Sequence, residues 1–214
     1  MRTIRVTGKG NLKAKPDMMR LTLTLHGVCP EYVDAVNHSN SATQALRELL
    51  VEQGFARTDL KTLSFDVDTE YESYRDEHND YRQRFVGYSY NHVAKIEFPS
   101  DSERLGNTLY ALSHSSLAPE FRISFTVADP EAVKNDLLGK AVQDAMKKAE
   151  VLADAAGLKL GDILTVDYSW GQINLEMHPM EDRMMAPMAA RCEMDIEPDD
   201  IDMSDTVTVV WEIT

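Results

Sequence analysis

The side chains able to do chemistry are scattered along this sequence. Six histidines, His26, His38, His78, His92, His114 and His178, form no HxxxH or HExxH spacing, so no helical pair of imidazoles is set to grip a metal. His78 stands among Asp76, Glu77 and Asp80, a donor set that suits a weak metal site and equally a solvated hairpin tip. Asp66, Asp68, Glu70 and Glu72 recur at every second position and so line one face of a strand. Adjacent carboxylates can share a proton, but their strict alternation with Leu63, Phe65, Val67, Thr69 and Tyr71 reads first as a solvent-facing strand. Gly8 and Gly10 make a GxG, yet neither the continuation of a dinucleotide loop nor the GK[ST] of a P-loop follows, and a structural turn is expected. Pro16-Asp17 is read as shaping the entry to the next strand. Cys29 and Cys192 lie far apart with no CxxC, which indicates neither a zinc site nor a disulfide framework. No nucleophile–base set emerges at a readable spacing. No catalytic, cofactor-binding or metal-binding residue is therefore assigned, no cofactor is expected, and the chain is read as a non-enzyme.

The most biased composition lies in residues 175–203. That stretch holds seven of the eleven methionines: Met177, Met180, Met184, Met185, Met188, Met194 and Met203. Thioethers bind Cu(I), and flexible methionines build adaptable surfaces. A mobile acidic loop, or an arm packed on a neighbouring subunit, accounts for the same residues. Between Asn174 and Asp205 ten acidic residues face only Arg183 and Arg191.

Charge and hydropathy narrow the partners. A formal charge of −14 argues against nucleic acid or an anionic membrane surface, since phosphate binding needs clustered Lys and Arg. No window approaches the ~18 continuous apolar residues of a spanning helix, so no membrane insertion is expected. The sequence enters strand pattern from its first residues without a signal-peptide core, which reads as cytoplasmic, or as periplasmic or surface-exposed if a signal was trimmed.

The elements that must position these residues follow in order. Ile4, Val6 and Gly8 alternate with Arg5 and Thr7 in a first strand ending at residues 8–10. Met19, Leu21, Leu23 and Leu25 mark a second strand. A helix from Pro30 to about Gln53 carries Ala35, Ser39, Ala42, Leu46 and Leu49, with Gly54 ending it. Leu63 to Tyr71 gives a strand, residues 73–80 a turn, and residues 81–98 a returning strand. Its phase changes between Tyr81/Phe85 and Tyr88, Tyr90, Ala94, Ile96 and Phe98, which predicts a β-bulge at Gly87. Ser100 and Glu103 form a capping box before a helix with Leu105, Leu109 and Leu112. Phe121, Ile123, Phe125 and Val127 mark the next strand.

A long helix then begins at Asp129-Pro130 and stops at Gly157. Its stripe is Val133, Leu137, Ala141, Ala145, Ala149, Leu152 and Ala156, mostly small side chains that allow close packing. Leu164, Val166, Tyr168 and Trp170 give a further strand, and Val207, Val209, Trp211 and Ile213 the last. One-sided strands point to an α+β fold: a largely antiparallel sheet with helices on one face, a two-layer sandwich containing a split β-α-β-β-α-β unit. Residues 1–214 are read as a single unit, with a possible division into a body, 1–69 plus 129–214, and a smaller lobe, 70–128.

Taken together, Ile4-Arg5-Val6-Thr7-Gly8-Lys9-Gly10, Lys15-Pro16-Asp17, Gly54, Asp59-Leu60-Lys61-Thr62 and Val86-Gly87-Tyr88 resemble the SIMPL-domain family. The series Ala141, Ala145, Ala149, Leu152-Ala153, Gly157, Leu160-Gly161 and the closing Val207-Thr208-Val209 fit the same pattern. The resemblance implies bacterial relatives that are often periplasmic or surface-exposed, linked to stress resistance or immunogenicity, and in some cases oligomeric. It implies no catalytic motif. The expectation is a non-enzymatic protein acting through self-assembly or protein contacts, with a homo-oligomer or a protein partner. The alternative is a small-ligand or soft-metal binder using residues 175–203.

Overall fold

A computed structural model describes residues 2–76, 78–168 and 197–214. Among them are two antiparallel sheets, seven strands and three helices, an α+β fold in which each sheet belongs to its own compact unit.

The first unit holds residues 2–17, 125–168 and 198–214. β1 (Thr3–Ala14), β7 (Ile201–Ile213) and β6 (Leu160–Tyr168) form a sheet in the order β1-β7-β6. β1 and β7 pair without interruption from Thr3↔Glu212 to Ala14↔Ile201. Both strands are longer than the alternation alone suggested, because each supplies the other's backbone partners, and Leu12 and Met203 extend the apolar face.

The helix α3 (Pro130–Ala155) covers this sheet. Asp129 caps it, its carboxylate accepting from the Ala132 N–H at 2.9 Å, and Pro130 occupies the first turn. At the other end Gly157 takes φ +68°. The Leu158 N–H there bonds the Ala153 carbonyl, and the Gly157 N–H that of Asp154, the paired closure of a Schellman turn. Replacing Asp129 with Ala orphans an N–H at the first turn and is expected to cost about 1 kcal/mol in a denaturant melt.

The buried stripe of α3 is Leu137, Ala141, Ala145, Ala149 and Ala153; Ala141, Ala145 and Ala149 pack with Val6, Val207, Val209 and Trp211, and Leu137 with Val127, Ile201 and Met203. Leu152 and Ala156, expected on that stripe, are exposed. Strict four-residue spacing winds round the helix by ~40° per step, which carries the covered face from Ala149 to Ala153 and past its neighbours. Gly8 and Gly10 are the seat for this helix. A methyl group on Gly8 would overlap the Ala141 carbonyl and lie 2.7 Å from the Ala145 methyl; one on Gly10 would overlap the Leu137 carbonyl.

The second unit is built on residues 18–76 and 78–124. β2 (Met18–Cys29), α1 (Tyr32–Glu52), β3 (Lys61–Arg75), β4 (Tyr81–Pro99), α2 (Ser102–Ser113) and β5 (Glu120–Thr126) follow one another as β-α-β-β-α-β. The sheet order β3-β4-β2-β5 is that of a split βαβ unit. β2 and α1 belong to this unit, β2 being paired to β4 from Met18↔Pro99 to Cys29↔Tyr88. Met19, Leu21, Leu23 and Leu25 stand beside Phe98, Ile96, Ala94 and His92 on the buried face.

Two helical details differ from the sequence reading. α1 buries Ala35, Ser39, Thr43, Leu46 and Leu50, in place of Ala42 and Leu49. The inward Thr43 hydroxyl is satisfied by hydrogen bonding to the Ser39 carbonyl. Asp101 rather than Ser100 caps α2, its carboxylate accepting from the Arg104 N–H at 2.9 Å. The strands β3 and β6 also depart from the expected single buried face: Leu63, Phe65, Tyr71, Ile163, Leu164 and Val166 are all exposed. Both are edge strands, and alternation does not reveal whether a helix reaches the apolar side.

Candidate functional site

β4 loses β2 as a partner at Tyr88, whereas its pairing with β3 runs on to Arg75↔Tyr81. Residues 70–75 and 81–87 therefore form a two-stranded arm beyond the sheet. At its root the register steps from Glu70↔Gly87 to Tyr71↔Phe85, leaving Val86 as the extra residue of the bulge that the phase change predicted. Gly87 has φ +155°, and a methyl group there would overlap the Cys29 carbonyl and lie 3.2 Å from Pro30 Cα. The bulge sets Phe85 and Tyr88 on one side although they are three residues apart. Tyr71 and Phe85 meet edge to face at 5.7 Å, Phe85 and Tyr88 at 5.4 Å, and Tyr88 meets Tyr32 of α1 at 5.6 Å. Further out the Arg75 guanidinium lies 4.6 Å over the Tyr81 ring, which is 75% exposed. The result is a row of aromatic rings from the arm to the start of α1, with Tyr71, Phe85 and Tyr32 exposed and Tyr88 half-buried.

The carboxylates of this region hold the arm together. Asp76 accepts from the backbone N–H groups of His78 and Asp80 and from the Arg82 side chain. The Arg82 hydrogen bond, followed by that from Asp80, keeps the Asp76 carboxyl below its ordinary pKa. Glu72 pairs with Arg84 across the ribbon. Asp66, Asp68 and Glu70 are exposed along β3. Asp76, His78 and Asp80 thus come together as a turn organised around one carboxylate; Glu77 lies outside the described residues. Among the described residues no group of three or more His, Cys, Asp or Glu is arranged to hold a metal.

The remaining sequence candidates disperse. Gly8 and Gly10 serve packing, and the Asp17 carboxylate accepts from the Ala128 N–H at 2.7 Å. His26 donates from Nδ1 to the Tyr90 carbonyl, and His114 from Nδ1 to that of Tyr110. His178, Cys192 and six of the seven clustered methionines lie outside the described residues. Met203, the seventh, is buried in the core with Val127, Leu137 and Ile201, so it belongs to the fold and not to an exposed thioether surface.

A polar group that the residue types did not single out lies within the sheet, where His92 stands between Leu25 of β2 and Phe65 of β3. His92 is buried on the covered side of β4. Its Nδ1 is 2.8 Å from Thr43 Oγ1 on α1, and its Nε2 is 2.9 Å from Thr62 Oγ1 on β3. The Tyr90 hydroxyl beside it is 3.0 Å from His38 Nδ1. Burial, and then the charge of Arg47, hold His92 below the ordinary histidine value of 6.5, while burial raises the Tyr90 phenol. The available signal was parity: His92 falls in phase with Tyr90, Ala94 and Ile96, the inward positions of β4.

A family model described as SIMPL, a protein of unknown function (DUF541), matches residues 4–211. Two curated relatives are each named 26 kDa periplasmic immunogenic protein, one from Brucella abortus (strain S19) and one from Brucella melitensis biotype 1. They are 27% and 26% identical over 163 residues, which is 76% of this chain and 65% of each relative's length. CutA from Synechococcus elongatus PCC7942 aligns over 61% of this chain and 95% of its own, at 14% identity and a TM-score of 0.21, a likeness too slight to carry an argument. Among the described residues no helix is long and apolar enough to cross a membrane.

Proposed function

The chain belongs to the SIMPL family, and from that premise we propose that it is a non-enzymatic protein acting through self-assembly by means of the β3–β4 arm. The observation that carries this reading is the aromatic row Tyr71–Phe85–Tyr88–Tyr32, in which the half-buried Tyr88 joins three exposed rings. A contiguous apolar surface on a projecting element loses free energy on association, and aromatic residues dominate the energetics of such contacts. The side chains that looked chemical serve other ends. The Asp76 carboxylate closes a turn, Glu72 ties the ribbon, and the glycine pair seats a helix. The names of the Brucella relatives favour a periplasmic setting over a cytoplasmic one.

Light scattering on the full chain tests the reading. The expected particle is a multiple of the 24.1 kDa protomer. Phe85→Lys places a charge in the row without touching the core, and is expected to weaken association by about tenfold or more while leaving the melting temperature nearly unchanged. A wild-type monomer at high concentration would remove the proposal.

A further inference from the structure

α3 covers two of the three strands beneath it. It lies along β1 and β7 and barely reaches β6. Ile163, Val166 and Tyr168 of β6 stand opposite Trp211, Val209 and Val207 of β7. Paired residues share a face, so these three side chains turn toward the α3 side, where Ile163 and Val166 are 55% and 52% exposed. The flanks of α3 are fixed by Asp144, whose carboxylate accepts from the Lys9 N–H at 2.7 Å and so overhangs β1. Val142 and Met146, two residues to either side of Asp144, lie ~160° round the helix from it, on the flank toward β6. Leu138, Val142 and Tyr168 pack against the core, whereas Met146 is 51% exposed. An open groove results, with a floor from β6 and a wall from α3.

The chemistry of that wall changes along its length. The row Leu138, Val142, Met146 continues at the same four-residue step to Glu150 and Asp154, both exposed. The last turn of α3 holds no basic residue, and its free carbonyls add negative charge at the same end. The arm carries the complement in the same order. Tyr71 and Phe85 are paired near its root, and Arg75 and Tyr81 are paired four residues further out on the same face. Neutral oxygens of Asn79 and Tyr81 hold the Arg75 guanidinium, while Arg82 and Arg84 are paired to Asp76 and Glu72. The lengths agree as well. Four residues of ribbon span ~13 Å, and the eight helical residues from Val142 to Glu150 span ~12 Å.

We propose that the groove between α3 and β6 receives the arm of a second copy of this chain. Phe85 and its neighbouring rings lie on Val142, Met146 and Val166, and Arg75 meets Glu150. The inference rests on the assembly reading above and names the surface that the arm meets. Apolar area leaves water on both sides of the contact, and the cation opposite the acidic end sets the direction of seating. The two surfaces differ, so the contact is head-to-tail and every copy offers one arm and one groove.

That asymmetry supplies the test. Phe85→Lys spoils the arm and leaves the groove; Val166→Lys spoils the groove and leaves the arm. Light scattering on the full chain, at a concentration where the wild type assembles, should find each variant associating about tenfold more weakly or worse. Their equimolar mixture should form a particle of twice the 24.1 kDa protomer, since one variant keeps the arm and the other the groove. Val166→Lys assembling as the wild type does would overturn the groove and leave the arm reading standing, and a mixture that stays at protomer mass would overturn it too. Should Val166→Lys fold poorly, Met146→Lys on the exposed flank of α3 takes its place. Arg75→Glu and Glu150→Arg are each expected to weaken assembly several-fold, and the chain carrying both to regain most of the loss; simply additive losses count against the contact. A monomeric wild type removes the assembly reading and this contact with it.

Discussion

Gly8→Ala is expected to destabilise the first unit by about 3–4 kcal/mol, the upper range for overpacking a core. The added methyl meets the Ala141 carbonyl oxygen, the Ala145 N–H and the Ala145 methyl, so two of its three contacts are backbone of α3 and cannot rotate aside. Relief requires α3 to lift from β1, which opens the packing of Val6, Val207, Val209 and Trp211 against the alanine stripe. For a chain of this length the change corresponds to a melting temperature lower by about 10 °C. Gly139 is the control. It sits exposed within α3 with nothing near the position of an added methyl, so Gly139→Ala is expected to stabilise by about 0.5–1 kcal/mol through helix propensity alone. Thermal melts of the two variants decide the matter: similar effects would mean that α3 does not sit directly on the β1 backbone.

Gly87→Ala is the second large effect, expected to cost about 2–4 kcal/mol in the other unit. Two penalties coincide there. The φ of +155° is one that side chains with a Cβ rarely adopt, and the methyl would overlap the Cys29 carbonyl. Easing either one changes the bulge. A changed bulge turns Phe85 away from Tyr88 and interrupts the aromatic row. Gly87→Ala should therefore reduce association as well as stability, unlike Phe85→Lys, which should affect association alone. Melting and light scattering on both variants separate the two effects.

The long helix was legible to its ends, because Asp129, Pro130 and Gly157 act locally through caps and backbone preference. The bulge was legible for a similar reason: a period-two pattern must change phase when one residue is inserted. The faces of β3 and β6 were not. Leu63, Phe65, Ile163 and Val166 alternate as residues of a buried face do, yet whether a helix covers them depends on sheet order, a property of distant pairings. The glycine pair reads as a turn in the sequence, whereas its meaning lies more than a hundred residues away in Ala141 and Ala145. Nothing in the sequence sets His92 apart from the other five histidines, since its environment is assembled by Thr43 and Thr62 from two other elements.

The seat of α3 on β1 also bears on how the chain finds its register. Glycine and alanine have no side-chain torsion to freeze, so closing this contact carries almost no side-chain entropy cost. The same simplicity leaves nothing that can adapt. A slip of β1 by two residues would bring Val6 or Leu12 to a place where only a hydrogen atom fits, and the helix could not close. Gly8 and Gly10 thus act as a key that admits one alignment of β1 beneath α3. Through the unbroken ladder to β7, the same key sets where the last strand of the chain must begin.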